Sequence, residues 1–315
     1  MVKQKTRKRK YDGKENIEAT PCKKINHGHV ELEQKDWMPA AAVEFFNSKH
    51  FPKLVKEMVV VDQNMKMVGP FRKLMENSDV TGTDLIMLDR EKTDLPEMQT
   101  FMLTTFGRYA FWRDTPSEKN PVIVFVDLKT IPELSMVGNT VEHAIHHFCG
   151  LFAKCQDNGK EAKAAASNIL EILGDAKMKK ETTRAIKKRQ SISVGGLLGP
   201  GIYLEQHSNG SPRYRRLLHS RHDPHIENLL RCLTNAKVKS DEQAVIQLIN
   251  EEIVGHVMIC NDEGDFGNGL ELGHVMFLAN HKAIEDDLKM ILIPAYKFLK
   301  RSDFIEILNL TLALR

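Results

Sequence analysis

Three carboxylates within four positions, Asp262, Glu263 and Asp265, are the residues of this chain best suited by type and spacing to do chemistry. They lie in Asn261-Asp262-Glu263-Gly264-Asp265-Phe266-Gly267-Asn268-Gly269-Leu270-Glu271-Leu272-Gly273, which packs four carboxylates and four glycines into thirteen residues. Crowded carboxylates repel one another, and the repulsion favours proton uptake by one of them. A carboxylate poised in that way can serve as a general base near neutral pH, given a substrate proton within reach. The glycines permit positive φ and sharp turns, so the stretch reads as a rigid loop entering a helix. The plainer alternative is a solvated acidic turn whose aspartates cap that helix. A calcium loop fails on spacing. With Asn261, Glu263 and Asp265 as the first three ligands, the obligatory glycine falls on Phe266 and the closing glutamate on Leu272.

A second cluster is Arg213-Tyr214-Arg215-Arg216. Guanidinium groups form planar, paired hydrogen bonds with carboxylates and phosphates, and Tyr and Arg are favoured as interface anchors. A basic surface turn is the competing reading. Other combinations are weaker. His143 and His147 fall one helical turn apart, but no carboxylate or cysteine nearby completes a metal shell, so a surface face bearing histidines is expected. Cys22, His27 and His29 lack a second cysteine, and no metal site is expected anywhere in the chain. Gly195-Gly196-Leu197-Leu198-Gly199-Pro200-Gly201 lacks the following Lys-Ser/Thr of a phosphate loop. Residues 177–189 carry seven basic side chains and one acid, a solvated helix face or an electrostatic patch for nucleic acid or an acidic partner.

The elements that must position these groups follow from hydrophobic spacing. Phe45, Phe46, Phe51, Leu54, Val55 and Met58 suit one or two short amphipathic helices broken at Pro52. Residues 98–105, 108–113 and 121–127 are rich in β-branched and aromatic side chains and separated by short turns, which predicts an antiparallel meander. Val141, Ala144, Ile145, Phe148, Cys149 and Phe152 recur at helical spacing, so a helix over 139–155 should cover one face of that sheet. The last hundred residues read as helical. Their stripes are Ile226/Leu229/Leu230/Leu233, Val245/Leu248/Ile249/Ile253/Val257, Ile284/Leu288/Ile291/Ala295/Phe298/Leu299 and Phe304/Ile307/Leu308, all expected to face the core. The expected fold class is therefore α+β: an N-terminal antiparallel sheet with helices, followed by a mainly helical C-terminal domain. The expected divisions are a basic tail over 1–36, an α+β domain over 37–158 and a helical domain over 159–315 that carries the acidic-glycine loop.

At 315 residues, with 42% hydrophobic and 28% charged side chains, the composition is that of a globular protein with a substantial core. No apolar run approaches the roughly 18 residues of a membrane span, and the basic N-terminus lacks the apolar segment of a secretory signal. Five scattered cysteines without a CxxC pair suggest free thiols in a reducing compartment. The net charge of +3 is a property of the tail. Six of the 45 basic residues fall in the first ten positions, which hold no acid, and 39 basic residues face 42 acidic ones in the remainder. Residues 1–36 read as disordered. Within them Arg7, Lys8, Arg9 and Lys10, followed after a spacer by Lys23 and Lys24, form a two-part nuclear import pattern.

The acidic-glycine stretch closely resembles the signature of the histone PARylation factor 1 family, as does Pro294-Ala295-Tyr296-Lys297-Phe298-Leu299-Lys300-Arg301 with Phe304 and Glu306. Looser matches occur upstream, in the family's order: Val68-Gly69-Pro70-Phe71, Pro96-Glu97-Met98-Gln99-Thr100 and Phe111-Trp112-Arg113-Asp114-Thr115-Pro116. Gly264 and Asn268 stand where bulkier residues are common in the family, and Phe266 where a tyrosine is usual. The resemblance implies a nuclear accessory factor of the DNA damage response, not an enzyme on its own. It implies docking on the catalytic domain of a poly(ADP-ribose) polymerase, directing ADP-ribosylation to serine on histones and other proteins at chromatin. By the same resemblance Glu263 is the catalytic glutamate lent to a composite active site. Asp262 and Asp265 are acidic neighbours at the interface, and Tyr214 and Arg215 the docking pair. NAD is bound by the polymerase and no cofactor by this chain. Any DNA contact is indirect, and the free protein is a monomer. Serine is a poor nucleophile until deprotonated, so a positioned carboxylate fits that chemistry. Two other classes compete: a self-contained carboxylate hydrolase using Glu263 with a second acid, and a non-catalytic chromatin adaptor.

Overall fold

A five-stranded antiparallel sheet whose strands pair in chain order divides the protein into two cores. The computed structural model describes residues 37–155, 159–195, 198–205, 213–215, 223–237 and 239–315. Both basic clusters of the tail, Cys22, His27, His29 and Arg216 lie outside these residues. Two helices open the described chain, α1 (Ala40–Phe46) and α2 (Phe51–Val61). The break between them falls before Pro52, which lies in the first turn of α2, where its missing N–H costs nothing. Then come β1 (Lys66–Met67), α3 (Pro70–Glu76) and α4 (Gly82–Met87), and the meander β2 (Met98–Thr104), β3 (Gly107–Trp112), β4 (Val122–Asp127) and β5 (Leu134–Gly138).

The expected three-strand meander is present, and edge strands β1 and β5 were not anticipated: each is too short to show an alternating pattern. The hairpin between β2 and β3 pairs Thr104 with Gly107 across a two-residue turn. A side chain at Gly107 would meet the Val126 carbonyl. Strand alternation sorts the side chains by face. Tyr109 and Phe111 of β3, with Ile123 and Phe125 of β4, point to one core; Ala110, Trp112, Val124 and Val126 point to the other. Because both faces are covered, these strands read as nearly continuous apolar runs.

The first core is closed by α1, α2, α5 (Val141–Ala153) and α6 (Lys160–Leu173). Ala165, Ala166 and Ile169 of α6 share it with Phe148 and Phe152 of α5. Next comes α7 (Asp175–Gln190), which carries the basic run and packs beside β5. Most of that run is solvated, but Arg189 is buried. It forms a two-pronged ion pair with Asp114 (Nη2 to Oδ1, 2.7 Å) and donates from Nε to the Pro200 carbonyl at 2.6 Å. Two short paired strands, β6 (Ser193–Val194) and β7 (Ile202–Tyr203), flank the glycine-rich stretch.

The second core is helical: α8 (Asp223–Asn235), α9 (Lys239–Leu248), a π-helical turn over Ile249–Val254, α10 (Gly255–Asp262), α11 (Gly267–Ala279), a 3₁₀ turn over Lys282–Ile284, α12 (Glu285–Phe298) and α13 (Asp303–Ala313). None of the described helices is long and apolar enough to cross a membrane. Every residue of α11 is buried, as expected of a central helix that is apolar nearly all round. Two expected core positions face outward. Leu248 is exposed because the π turn alters the helical phase at Ile249, and Phe298 is 60% exposed at the end of α12.

Buried polar contacts tie the sheet to the helical core. Glu97 accepts hydrogen bonds from the Tyr296 hydroxyl at 2.9 Å and pairs with His274 Nε2 at 2.9 Å, all three side chains within 1% of full burial. Arg90, also buried, bonds Thr311 Oγ1 at 2.7 Å and the Met98 carbonyl at 2.7 Å. Residues from 37 onward form one compact unit.

Candidate functional site

The acidic cluster is displayed by a helix-ending turn between α10 and α11. Gly264 has φ of +89°; its N–H reaches the Asn261 carbonyl at 3.0 Å, and the Asp265 N–H reaches the Cys260 carbonyl at 2.9 Å. These paired bonds are the Schellman termination, with glycine in the left-handed position that other residues enter only under strain. Glu263 is thus the capping residue of α10, its side chain half exposed; Asp262 is exposed, and Asp265 is buried against the turn.

The other glycines of the stretch act differently from expectation. Gly267, Gly269 and Gly273 lie inside α11, where the missing Cβ admits close neighbours. A Cβ at Gly267 would lie 2.4 Å from Leu204 and 3.0 Å from the Arg213 carbonyl; at Gly269 it would crowd Asn261, and at Gly273, Leu292.

That close approach brings Arg215 to the acids. Residues 213–215 run along the first turn of α11, where the Gly267 N–H donates to the Arg213 carbonyl at 3.0 Å. Asn268, fully buried, clasps the Arg215 backbone from both sides. Its Oδ1 accepts the Arg215 N–H at 3.0 Å, and its Nδ2 donates to the Arg215 carbonyl at 2.5 Å. One turn on, Glu271 accepts the Tyr214 hydroxyl at 2.6 Å. The Arg215 guanidinium then bridges the turn, pairing with Glu263 through Nη2 and with Asp265 through Nε at 2.5 Å. Its hydrogen bond to Glu263, then the charges of Glu263 and Asp265, hold the Arg215 pKa above the ordinary guanidinium value. A cation therefore sits between Glu263 and Asp265 and offsets the carboxylate repulsion expected from their spacing. It also offsets the negative end of α10, where an acidic side chain is disfavoured.

Apolar side chains are also exposed on the elements flanking the turn. Phe266 stacks on Phe298 with centroids 4.6 Å apart and planes 8° from parallel. Met258 and Ile259 are exposed on the last turns of α10. Charged groups ringed by exposed aromatic and aliphatic side chains are what a protein interface presents.

The pattern that defines histone PARylation factor 1 matches residues 21–315. The chain belongs to that family. Curated relatives are distant but long. The chain is 26% identical over 279 residues to histone PARylation factor 1 of Mus musculus, covering 84% of this chain and 79% of the mouse protein. It is 26% identical over 265 residues to that of Danio rerio, covering 80% and 74%. To that of Bos taurus it is 25% identical over 232 residues, covering 70% of this chain and 65%, less than two thirds, of the bovine protein.

Within this member of the family, the fold brings together Tyr214, Arg215, Glu263 and Asp265, and leaves Asp262 exposed on the same turn without an ion pair among the described residues. Sequence reasoning marked Asn268 only as a departure from the family pattern and gave neither it nor Glu271 a role, yet they hold Arg215 and Tyr214 in place. Their signal was available: with His274 they are the polar residues of a helix otherwise apolar or glycine. The histidines of α5 also differ from the surface face expected. His143 is 3% exposed with Nδ1 2.7 Å from Thr140 Oγ1, and His147 lies 2.9 Å from the Tyr109 hydroxyl. His146, paired with Asp175 at 2.8 Å, and His147 are both part-exposed. Among the described residues no group of three His, Cys, Asp or Glu is arranged for a metal ion.

Proposed function

We propose that this protein is an accessory factor that docks on the catalytic domain of a DNA-damage-activated poly(ADP-ribose) polymerase and lends Glu263 as general base for serine ADP-ribosylation of histones and other proteins. The observation that carries this reading is the Arg215–Glu263–Asp265 cluster, presented on a surface turn by a chain of the histone PARylation factor 1 family. A half-exposed carboxylate on a convex helix end becomes a site only when a second surface closes over it. This favours a composite active site over a self-contained hydrolase.

In the proposed reaction the serine oxygen bonds the anomeric carbon of ADP-ribose as nicotinamide leaves NAD held by the polymerase. The serine proton passes to the Glu263 carboxylate. A glutamate ion-paired to arginine is a poor proton acceptor, so docking has a second task. An acidic group on the polymerase draws Arg215 away and frees Glu263, while Asp262, Phe298 and Ile259 meet the partner around it. The tail clusters at Arg7–Lys10 and Lys23–Lys24 put the protein in the nucleus, at chromatin, under the same reading.

The test is serine modification of a histone peptide by the polymerase plus wild-type or Glu263→Gln protein, with binding measured in parallel. Glutamine keeps the size and polarity of the side chain but cannot take the proton. General-base contributions are about 10²–10⁴-fold, so serine modification should fall by that order with the complex intact. Full serine modification by a normally bound variant sinks the lent-base reading. Joint loss of binding and activity reduces the turn to a docking surface.

A further inference from the structure

Helices α5 and α7, which the proposed function does not use, enclose a cavity of about 480 Å³ against the edge strand β5. That is the size of a small-molecule site. Met136, Leu151 and Ile186 give it apolar walls. Lys154 and Lys179 also line it, and no carboxylate among the described residues does. Lys179 is held by Asp175 at 2.7 Å, whereas Lys154 forms no ion pair among the described residues.

His147 presents a donor there. Its Nδ1 lies 2.9 Å from the Tyr109 hydroxyl on the sheet. Burial pushes the Tyr109 pKa well above the ordinary value, so the hydroxyl keeps its proton, and Nδ1 is its one partner among the described residues. The hydroxyl therefore donates to Nδ1, and the neutral ring carries its own proton on Nε2. Nε2 sits at the edge of the ring away from Tyr109 and has no partner among the described residues. Unlike Nε2 of His143, it is not sealed from solvent: the His147 side chain is part-exposed and lines the cavity.

Gly150 follows His147 by three residues and precedes Lys154 by four, so all three share one face of α5. A glycine inside a helix costs stability relative to alanine. Packing within the chain does not require it: a Cβ at Gly150 would meet nothing within 4 Å, in contrast to those at Gly267 and Gly273. The bare position leaves the helix backbone open to an occupant lying between His147 and Lys154.

We propose that this cavity binds a small carboxylic acid with an apolar body. The carboxylate lies over Gly150, accepts the His147 Nε2–H and pairs with Lys154, while the body packs between Met136, Leu151 and Ile186. The lysines and the absence of a lining acid select an anion. The apolar walls select one that carries hydrocarbon. An inorganic anion would leave those walls wet, and a neutral apolar molecule would cover the Nε2–H without satisfying it.

The experiment follows the histidine ring signals of the full chain by NMR, those of His147 being assigned by their loss in His147→Gln. The probes are 2-naphthoate and, separately, octanoate, at constant pH and ionic strength. Acetate supplies the charge without the body, and 2-naphthamide the body without the charge. The expected result is a saturable shift of the His147 signals with at least one of the two acids. Acetate should give none, and 2-naphthamide should bind at least about tenfold more weakly than the naphthoate. In the unliganded protein burial, then the charges of Lys154 and His146, hold the His147 pKa at about 4, and a bound carboxylate should raise it. Lys154→Ala should weaken binding about threefold, as for an exposed ion pair. Lys180→Ala, at a residue that does not line the cavity, should leave binding unchanged. Gly150→Ala should unfold at a higher temperature than wild type, and Gly150→Leu should stay folded and lose the acid. The proposal is overturned if neither acid gives a saturable response, or if 2-naphthamide binds as tightly as the naphthoate. Undiminished binding by Gly150→Leu also overturns it, as does equal weakening by the two lysine variants. A lower unfolding temperature for Gly150→Ala overturns it too, because the glycine would then serve the fold.

Discussion

Replacing Asn268 with alanine isolates the contact that places Arg215. Asn268 has no exposed surface, and its carboxamide makes both hydrogen bonds that tie the Arg215 backbone to α11. Net contributions of about 0.5–1.5 kcal/mol per bond put the loss of the two bonds at about 1–3 kcal/mol. That is well within the stability of an ordinary domain, so the variant should remain folded at 25 °C and be measurable in binding. Urea unfolding gives the first quantity. Calorimetric titration with the polymerase catalytic domain gives the second, and docking should weaken because Arg215 no longer starts from a fixed backbone. Serine modification should fall with binding and recover at saturating factor, unlike Glu263→Gln, whose loss persists at saturation. Stability within about 0.3 kcal/mol of wild type together with unchanged docking would refute the claim that Asn268 positions Arg215.

Three further outcomes follow from other contacts. Arg215→Ala should weaken polymerase binding by at least about tenfold, since truncating one partner of an interfacial charge pair leaves the other unpaired; calorimetry showing wild-type affinity moves the interface elsewhere. Tyr296→Phe removes a hydroxyl that donates to the buried Glu97 carboxylate, and urea unfolding should show a loss of about 1–3 kcal/mol, whereas no change means that His274 alone satisfies Glu97. Burial first, then the charges of Lys154 and His146, pushes the His147 pKa from 6.5 down to about 4. The folded protein therefore resists protonation there: the contribution of His147 is complete above about pH 6.5 and is lost as the pH falls toward 4. At about 1.4 kcal/mol per unit the loss approaches about 3 kcal/mol, and His147→Gln should flatten the stability profile over that window. An unaltered profile assigns the acid sensitivity to other groups.

Local patterns carried much of the fold. The β2–β4 meander and α5 were legible because side-chain periods of two and of about 3.6 are written into consecutive residues. The acidic turn was legible too, because clustered acids and glycines are visible in type and order alone. The edge strands escaped notice because two to five residues hold too little pattern, and the outward turn of Leu248 because a π turn changes the phase without a marker residue.

What the tertiary structure decided was the pairing. Local spacing does not say which carboxylates Arg215 bonds, here Glu263 and Asp265, or that Arg189 leaves a basic surface run to meet Asp114. Nor does it say that Gly267, Gly269 and Gly273 serve helix packing and not the turn. Each depends on segments far apart in the chain meeting at van der Waals distance. Residue types supplied the charges and the small side chains. Only the packed cores determined which charge each would meet, because electrostatic and hydrogen-bonding partners are selected by distance in space, which no local periodicity encodes.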